Sequence, residues 1–189
     1  MQEINLYLAT TLKKLRQEKG WSLDKAASET GVSKAMLGQI ERGESSPTIA
    51  TMWKISTGFH QSLSSLLEPP AAESSNTRIR PPSAQPTSLA SDGAPIVPIF
   101  PYEERFGFEM FELTLQPGYE RLSEPHIQGV TEHVVVLSGE LELLVDGEWI
   151  QLSKGASVRF SGDTAHGYRN CSQAPTIFHN ILHYAQKGA

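Results

Sequence analysis

Cysteine is nearly absent from this sequence: Cys171 is the only one in 189 residues. An internal disulfide is therefore excluded, which agrees with a reducing compartment. Long hydrophobic runs are missing too. No stretch approaches the ~20 apolar residues that a membrane span needs, and the first residues, MQEINLYLATTLKKLRQ, lack the basic start and apolar run of a secretory signal. A cytoplasmic protein without a membrane partner is expected. Basic surplus is also lacking, since the formal net charge is −5. That deficit is uneven. Residues 1–68 carry eight Lys/Arg against seven Asp/Glu, residues 69–95 two of each, and residues 96–189 six against twelve. The acidity lies in the C-terminal part. The near-neutral N-terminal part remains compatible with nucleic acid if its cations share one face.

What is present divides at one place. The segment 69–95, PPAAESSNTRIRPPSAQPTSLASDGAP, is rich in Pro, Ser and Ala and almost devoid of large apolar residues. It cannot bury enough surface to offset its ordering entropy, and reads as a flexible linker. Before it, the apolar period is helical. Ile4, Leu8, Leu12 and Leu15 mark a first helix that Gly20 ends. Ser22 caps a second that stops at Gly31, and Ser33 caps a third that stops at Gly43. Pro47-Thr48 opens a fourth with Met52, Ile55 and Phe59, and a short fifth surrounds Leu63, Leu66 and Leu67. Five short helices make residues 1–68 a compact all-α domain. After the linker, in 96–189, short β-branched and aromatic runs replace them: 134–137, 140–145, 149–152, 157–160 and 176–184. Asp146-Gly147 between two such runs is a strong hairpin signal, and the whole suggests a sandwich or barrel.

The second and third helices are joined by only Gly31-Val32-Ser33. A turn this tight crosses them steeply and leaves the second protruding. Small Ala27 suits their close approach, while Val32, Leu37 and Ile40 pin the protruding helix. Its outward residues are then Lys34, Ala35, Gly38, Gln39 and Arg42. Gln39 can bond adenine twice, Lys34 can reach guanine or phosphate, and Ala35 can touch a thymine methyl. Helix N-termini can take phosphates. The stretch WSLDKAASETGVSKAMLGQIERGESSPTIATMWKI, above all GVSKAMLGQIERGESSPT, resembles the lambda-repressor-like helix-turn-helix family over residues ~5–68. The resemblance implies base contacts from Lys34, Ala35 and Gln39, and phosphate contacts from Ser33, Arg42 and the Ser46–Thr48 loop.

Five of the six histidines lie in the C-terminal half. His126 precedes Glu132 by six positions, and farther on Gly155 precedes His166 by eleven and Asn170 follows it by four. Two imidazoles and a carboxylate can hold a divalent ion on one face, leaving positions open for water or ligand. The segments PGYERLSEPHIQGVTEHVVVLSGELELLVDGEW and GASVRFSGDTAHGYRN resemble the two motifs of the cupin family, over residues ~95–185. The likeness implies an all-β double-stranded β-helix, a jelly-roll barrel with its site inside. His126, Glu132 and Gly139 take family positions in the first motif, and Gly155, His166 and Asn170 in the second. Departures are Gln128 in place of a second histidine, Ser161 and Asp163 in place of a proline and a glycine, and a long Gly118–His126 spacing. Gln128 is a poor metal ligand but can hydrogen-bond an effector. Two readings stay open: one divalent metal on His126, Glu132 and His166, zinc first, or a metal-free pocket whose histidines bind an effector directly. His133 should point away from Glu132. His179 and His183 share a face and either line the cavity or sit satisfied in the core. Tyr168 is one of several aromatics that form core or pocket wall.

The order helix-turn-helix, linker, cupin resembles the helix-turn-helix/cupin regulators, and in detail the sulfur-utilization regulator group. That implies a homodimer on operator DNA, responsive to a small effector such as a sulfur amino acid. The rival is a metal-dependent cupin enzyme, a dioxygenase or isomerase fused to a DNA-binding domain, which the fold alone does not exclude.

Overall fold

The computed structural model describes residues 2–67 and 94–185, which form two compact units. Most of the expected linker 69–95 lies outside the described residues. Its last two positions belong to the second unit: Ala94 is buried and the Pro95 carbonyl accepts the Thr114 amide.

The first unit comprises α1 (Gln2–Glu18), α2 (Leu23–Thr30), α3 (Lys34–Glu41), α4 (Ile49–Phe59) and α5 (Ser64–Leu67). Its boundaries follow from local chemistry. Ser22, Ser33 and Thr48 each turn a hydroxyl onto a first-turn amide, those of Lys25, Met36 and Thr51. Such caps are worth about 1 kcal/mol each. Gly31 ends α2 in the left-handed region at φ +66°, which costs a residue without Cβ nothing. The core joins Leu8 and Leu12 of α1, Leu37 and Ile40 of α3, Met52, Ile55 and Phe59 of α4, and Leu66 of α5. Ala27 is half-buried. Against α4, the close approach is at Gly58, where an added Cβ would meet the Glu29 carbonyl at 2.6 Å and Thr30 Cα at 2.7 Å. Glycine is thus what lets α4 lie against α2.

The second unit has nine strands among its described residues: β1 (Ile96–Glu103), β2 (Phe108–Leu115), β3 (Glu120–Ser123), β4 (Thr131–Ser138), β5 (Glu140–Val145), β6 (Glu148–Ser153), β7 (Ser157–Ser161), β8 (His166–Arg169) and β9 (Thr176–His183). They form two antiparallel sheets, ordered β1-β2-β9-β4-β7 and β3-β8-β5-β6. Asp146 and Gly147 both take positive φ, +52° and +82°, as the two-residue turn between β5 and β6 demands. Alternation assigns the faces. Phe111, Leu113, Val134, Val136, Phe178 and Leu182 of the first sheet are buried, as are Leu141, Leu143 and Tyr168 of the second. Tyr168 stacks on Phe178 across the gap, ring centroids 5.5 Å apart, so these inner faces share one core.

Candidate functional site

Three chain segments meet at Glu132. It points inward from β4, in phase with Val134 and Val136. His166 opens β8, and His126 precedes β4 in a loop fixed by its own amide on the Gly162 carbonyl at 2.9 Å. His126 Nε2 lies 2.8 Å and His166 Nε2 3.1 Å from the same oxygen, Glu132 Oε1, and the three side chains are 6%, 0% and 0% exposed. The other oxygen, Oε2, is held from behind. It accepts hydrogen bonds from the Tyr168 hydroxyl and from Asn180 Nδ2, the latter at 2.7 Å. The carboxylate is thereby aimed, with one oxygen anchored and one presented.

The presented atoms are badly placed for each other. His166 Nδ1 lies 2.8 Å from the Thr164 carbonyl, which can only accept, so Nδ1 carries a proton and the neutral form of His166 turns the Nε2 lone pair at Glu132. Both Glu132 Oε1 and His166 Nε2 are buried without a properly directed hydrogen bond, despite their short separation. Burial works against the charge on Glu132, but the two imidazoles outweigh it and hold its pKa well below the carboxylate range. Burial likewise opposes protonation of His166, and Glu132 overrides it, so the His166 pKa is raised, with Arg121 acting in the opposite sense. Tyr168 is pushed well above the ordinary phenol value by burial, then by Glu132.

This arrangement fits a metal ion. All three donor atoms lie within 4.8 Å of one another. Two ligands of one ion, each ~2.0–2.2 Å from it, are themselves separated by ~3 Å. Convergent lone pairs that do not hydrogen-bond one another are what coordination uses. Gly162 keeps the approach open, since a Cβ there would meet Glu132 Oε1 at 3.0 Å and His126 Cδ2 at 3.2 Å. The site thus combines His126, Glu132 and His166 with an outer layer of Tyr168, Asn180 and Thr164.

The other expected site residues fall differently. Gln128 is exposed on the turn Ile127–Val130. The departure at Asp163 explains that turn: its carboxylate accepts the Gly129 amide at 2.8 Å. Tyr168 is fully buried and its hydroxyl is committed to Glu132, so it supports the triad instead of walling an open pocket. His179 is not brought to the site. Phe178, Asn180 and Leu182 take the inner face of β9, which sends His179 outward to Glu112, 3.6 Å away. His183 shares that outer face and is exposed, and half-buried His133 also alternates away from the triad. Asn180 was the residue to find, and its place between two inward apolar neighbours was the available signal.

In the helical unit, Lys34, Ala35, Gln39 and Arg42 are exposed on or beside α3. Gly38, expected outward, is buried, with the Arg42 guanidinium 3.2 Å from where its Cβ would stand. Both cations are paired internally, Lys34 with Asp24 at 2.8 Å and Arg42 with Glu44 at 2.7 Å. Ser33 and Thr48 spend their hydroxyls as helix caps, and Ser46 accepts from Asn5 Nδ2. The orientation of α3 rests on a pair absent from the sequence reading. Arg16 of α1 grips Glu41 with two hydrogen bonds, 2.6 and 2.8 Å, and gives a third to the Trp21 carbonyl.

Comparison with known proteins bears on both units. The helix-turn-helix family matches residues 12–66, and the cupin domain family matches residues 111–182. Over 97% of this chain and 98% of its own length, the HTH-type transcriptional regulator SutR of Escherichia coli is 46% identical. The chain belongs to the helix-turn-helix/cupin transcriptional regulators. The match to SutR agrees with the sulfur-utilization regulator group. A solved structure, an HTH_3 family transcriptional regulator from Vibrio cholerae, is 39% identical with a TM-score of 0.82, covering 97% of this chain and 98% of that one. The regulator PuuR of E. coli is 26% identical over 91% of this chain and 92% of its own. The chain is thus a DNA-binding transcriptional regulator with a cupin domain, as SutR, PuuR and the Vibrio cholerae protein are named transcriptional regulators. Among the described residues no helix is long and apolar enough to cross a membrane.

Proposed function

We propose that this regulator acts as a homodimer on operator DNA and senses a small polar effector inside its cupin unit, closed as a jelly-roll barrel, beside one divalent metal ion. The observation that carries the metal reading is the pair of buried atoms, Glu132 Oε1 and His166 Nε2, that face each other without a directed hydrogen bond. Two neutral imidazoles and one carboxylate suit zinc and leave coordination positions open. A bound ion supplies a Lewis-acidic anchor there; the chain's own residues aim the carboxylate and fix the His166 tautomer. Membership in the sulfur-utilization regulator group supports a sulfur amino acid or relative as the effector. On DNA, Lys34, Ala35 and Gln39 read base edges while Ser33, Arg42, Ser46 and Thr48 face phosphates, which their exposure or position at helix starts supports. Dimerisation follows from the reach of one recognition helix, which reads too few bases, whereas two half-sites lie about one DNA turn apart.

Elemental analysis of untagged protein tests the metal. The expected content is about one equivalent at pH 7.5, falling as acid is added because protons compete with the ion for its ligands. Less than about a tenth of an equivalent, even after incubation with zinc, overturns the metal reading.

A further inference from the structure

The triad and its supports leave two inward-facing groups on β3 unused. Residues directly opposite in an antiparallel pair share a face. Arg121 stands opposite Tyr168, and Ser123 opposite His166, so both project to the side on which Tyr168 and His166 meet Glu132. Between them, Leu122 turns outward and is 64% exposed. The Arg121 guanidinium lies over the Tyr168 ring, 5.7 Å from its centroid. Its charge opposes the raised pKa of both His166 and Tyr168. Among the described residues it has no ion pair and no hydrogen bond. The nearby arginine of β8, Arg169, is by contrast fully engaged with Glu142 and Glu120. The Ser123 hydroxyl is buried and, among the described residues, has no hydrogen-bond partner. A buried hydroxyl without a partner is costly, and a half-buried guanidinium without an anion is uncommon, so both features point to a ligand.

We infer that Arg121 and Ser123 form a carboxylate-binding subsite beside the metal donors, so that the effector is an anion whose carboxylate pairs with Arg121 and Ser123 while a second polar group faces His126, Glu132 and His166. A single guanidinium matches one carboxylate in charge and in its two-pronged geometry. A phosphate dianion would be left half neutralised in a unit that is already acidic. The inference rests on the effector-sensing reading and narrows it: the carboxylate goes to protein and the other end of the ligand to the metal.

The test uses the full chain loaded with cobalt(II), titrated with mercaptoacetate, 3-mercaptopropionate and the amide of each. The thiol is common to acid and amide, and its absorption band on cobalt reports binding. In the unaltered protein at least one acid should bind about tenfold or more tightly than its amide, the order of a charge-assisted pair. Arg121→Gln should bring the acid down to the level of the amide, and Arg121→Lys should restore part of the preference. Equal binding of acids and amides overturns the inference. So does an Arg121→Gln variant that weakens both alike, which would mark a packing role on Tyr168, or an absence of thiol binding with cobalt in place. Failure to take up cobalt counts against the metal reading alone. The subsite is then read by carbon-13 NMR of acetate with metal-free protein: saturable binding lost in Arg121→Gln supports it, and equal or absent binding overturns it.

Discussion

Arg16 and Glu41 are 25 positions apart, and their side chains are only 16% and 8% exposed. Removing one partner strands a charge in a nearly closed place, which costs about 3–5 kcal/mol, whereas replacing both by apolar groups is often close to neutral. Urea unfolding of the helical unit should therefore show Arg16→Ala strongly destabilised and Arg16→Met/Glu41→Leu much less so. If the effects of the two sites simply add, the pair does not brace α1 against α3. In the cupin unit, Tyr184 gives its hydroxyl to Glu109, a carboxylate with no exposed surface on the inner face of β2. Burial first, and Glu109 second, push the Tyr184 pKa well above that of an ordinary phenol. The sign follows from linkage. Below the unfolded value of about 10 both states keep the proton and the stability is fully present; above it the unfolded chain ionises first and stability is lost. Thermal melts of Tyr184→Phe should thus begin lower at neutral pH, by about 1–3 kcal/mol for the Glu109 partner it loses, and fall less steeply above pH 10. Parallel curves for the two proteins would exclude this role.

The helix proposed to touch DNA, α3, carries its cations in pairs. Lys34–Asp24 and Arg42–Glu44 are exposed on both sides, so each pair contributes little stability, about 0–1 kcal/mol. Phosphates compete with Asp24 and Glu44 for the same cations, and the two carboxylates repel the backbone. Asp24→Asn and Glu44→Gln should each tighten binding to any duplex a few-fold at low salt, while Gln39→Ala should cost about 1–3 kcal/mol of discrimination on the operator alone. Fluorescence anisotropy on cognate and random DNA separates these, and an Asp24→Asn variant that binds no better would remove Lys34 from the contact. Much of this element was legible in the sequence, because a cap is a local event: Ser22, Ser33 and Thr48 sit one residue before the helices they start. The Asp146-Gly147 hairpin is local in the same sense. Elements whose stability comes from elsewhere were not. β3 and β8 are four residues each and polar, and β1 holds Pro98 and Pro101, tolerable there because it is an edge strand with shifted register. The triad was readable from spacing, since three such donors at family intervals are rare by chance. Its supports were not, because Asn180 and Tyr168 reach Glu132 across 48 and 36 residues. The phase of β9 decides between the two places open to His179: a single step along the strand separates inward Asn180 from His179 on the opposite face.

Regulation at the scale of the whole molecule requires that effector and operator report on each other. A ligand shifts an equilibrium only by the difference in its affinity for two states, so tight binding in the cupin unit is not enough. In a dimer, the quantity that operator affinity feels is the spacing of two recognition helices, which must match half-sites about one DNA turn apart. A change at the contact between cupin units is therefore the route we favour, and it places the coupling in the dimer rather than in either unit alone. Couplings of this kind are typically 1–3 kcal/mol, so saturating effector should move operator affinity by roughly 5- to 150-fold. Reciprocity gives the second half of the prediction, because operator DNA must change effector affinity by the same factor. Two measurements check it: operator titrations with and without effector on metal-loaded protein, and effector titrations with and without operator, with sedimentation velocity at micromolar concentration to establish the dimer. His166→Ala should abolish the coupling while leaving operator affinity in the absence of effector unchanged, since His166 belongs to the cupin unit and the proposed DNA contacts to α3. A monomer with and without DNA, or an effector that raises the melting temperature of the cupin unit yet leaves operator affinity fixed, would break the link between the two sites.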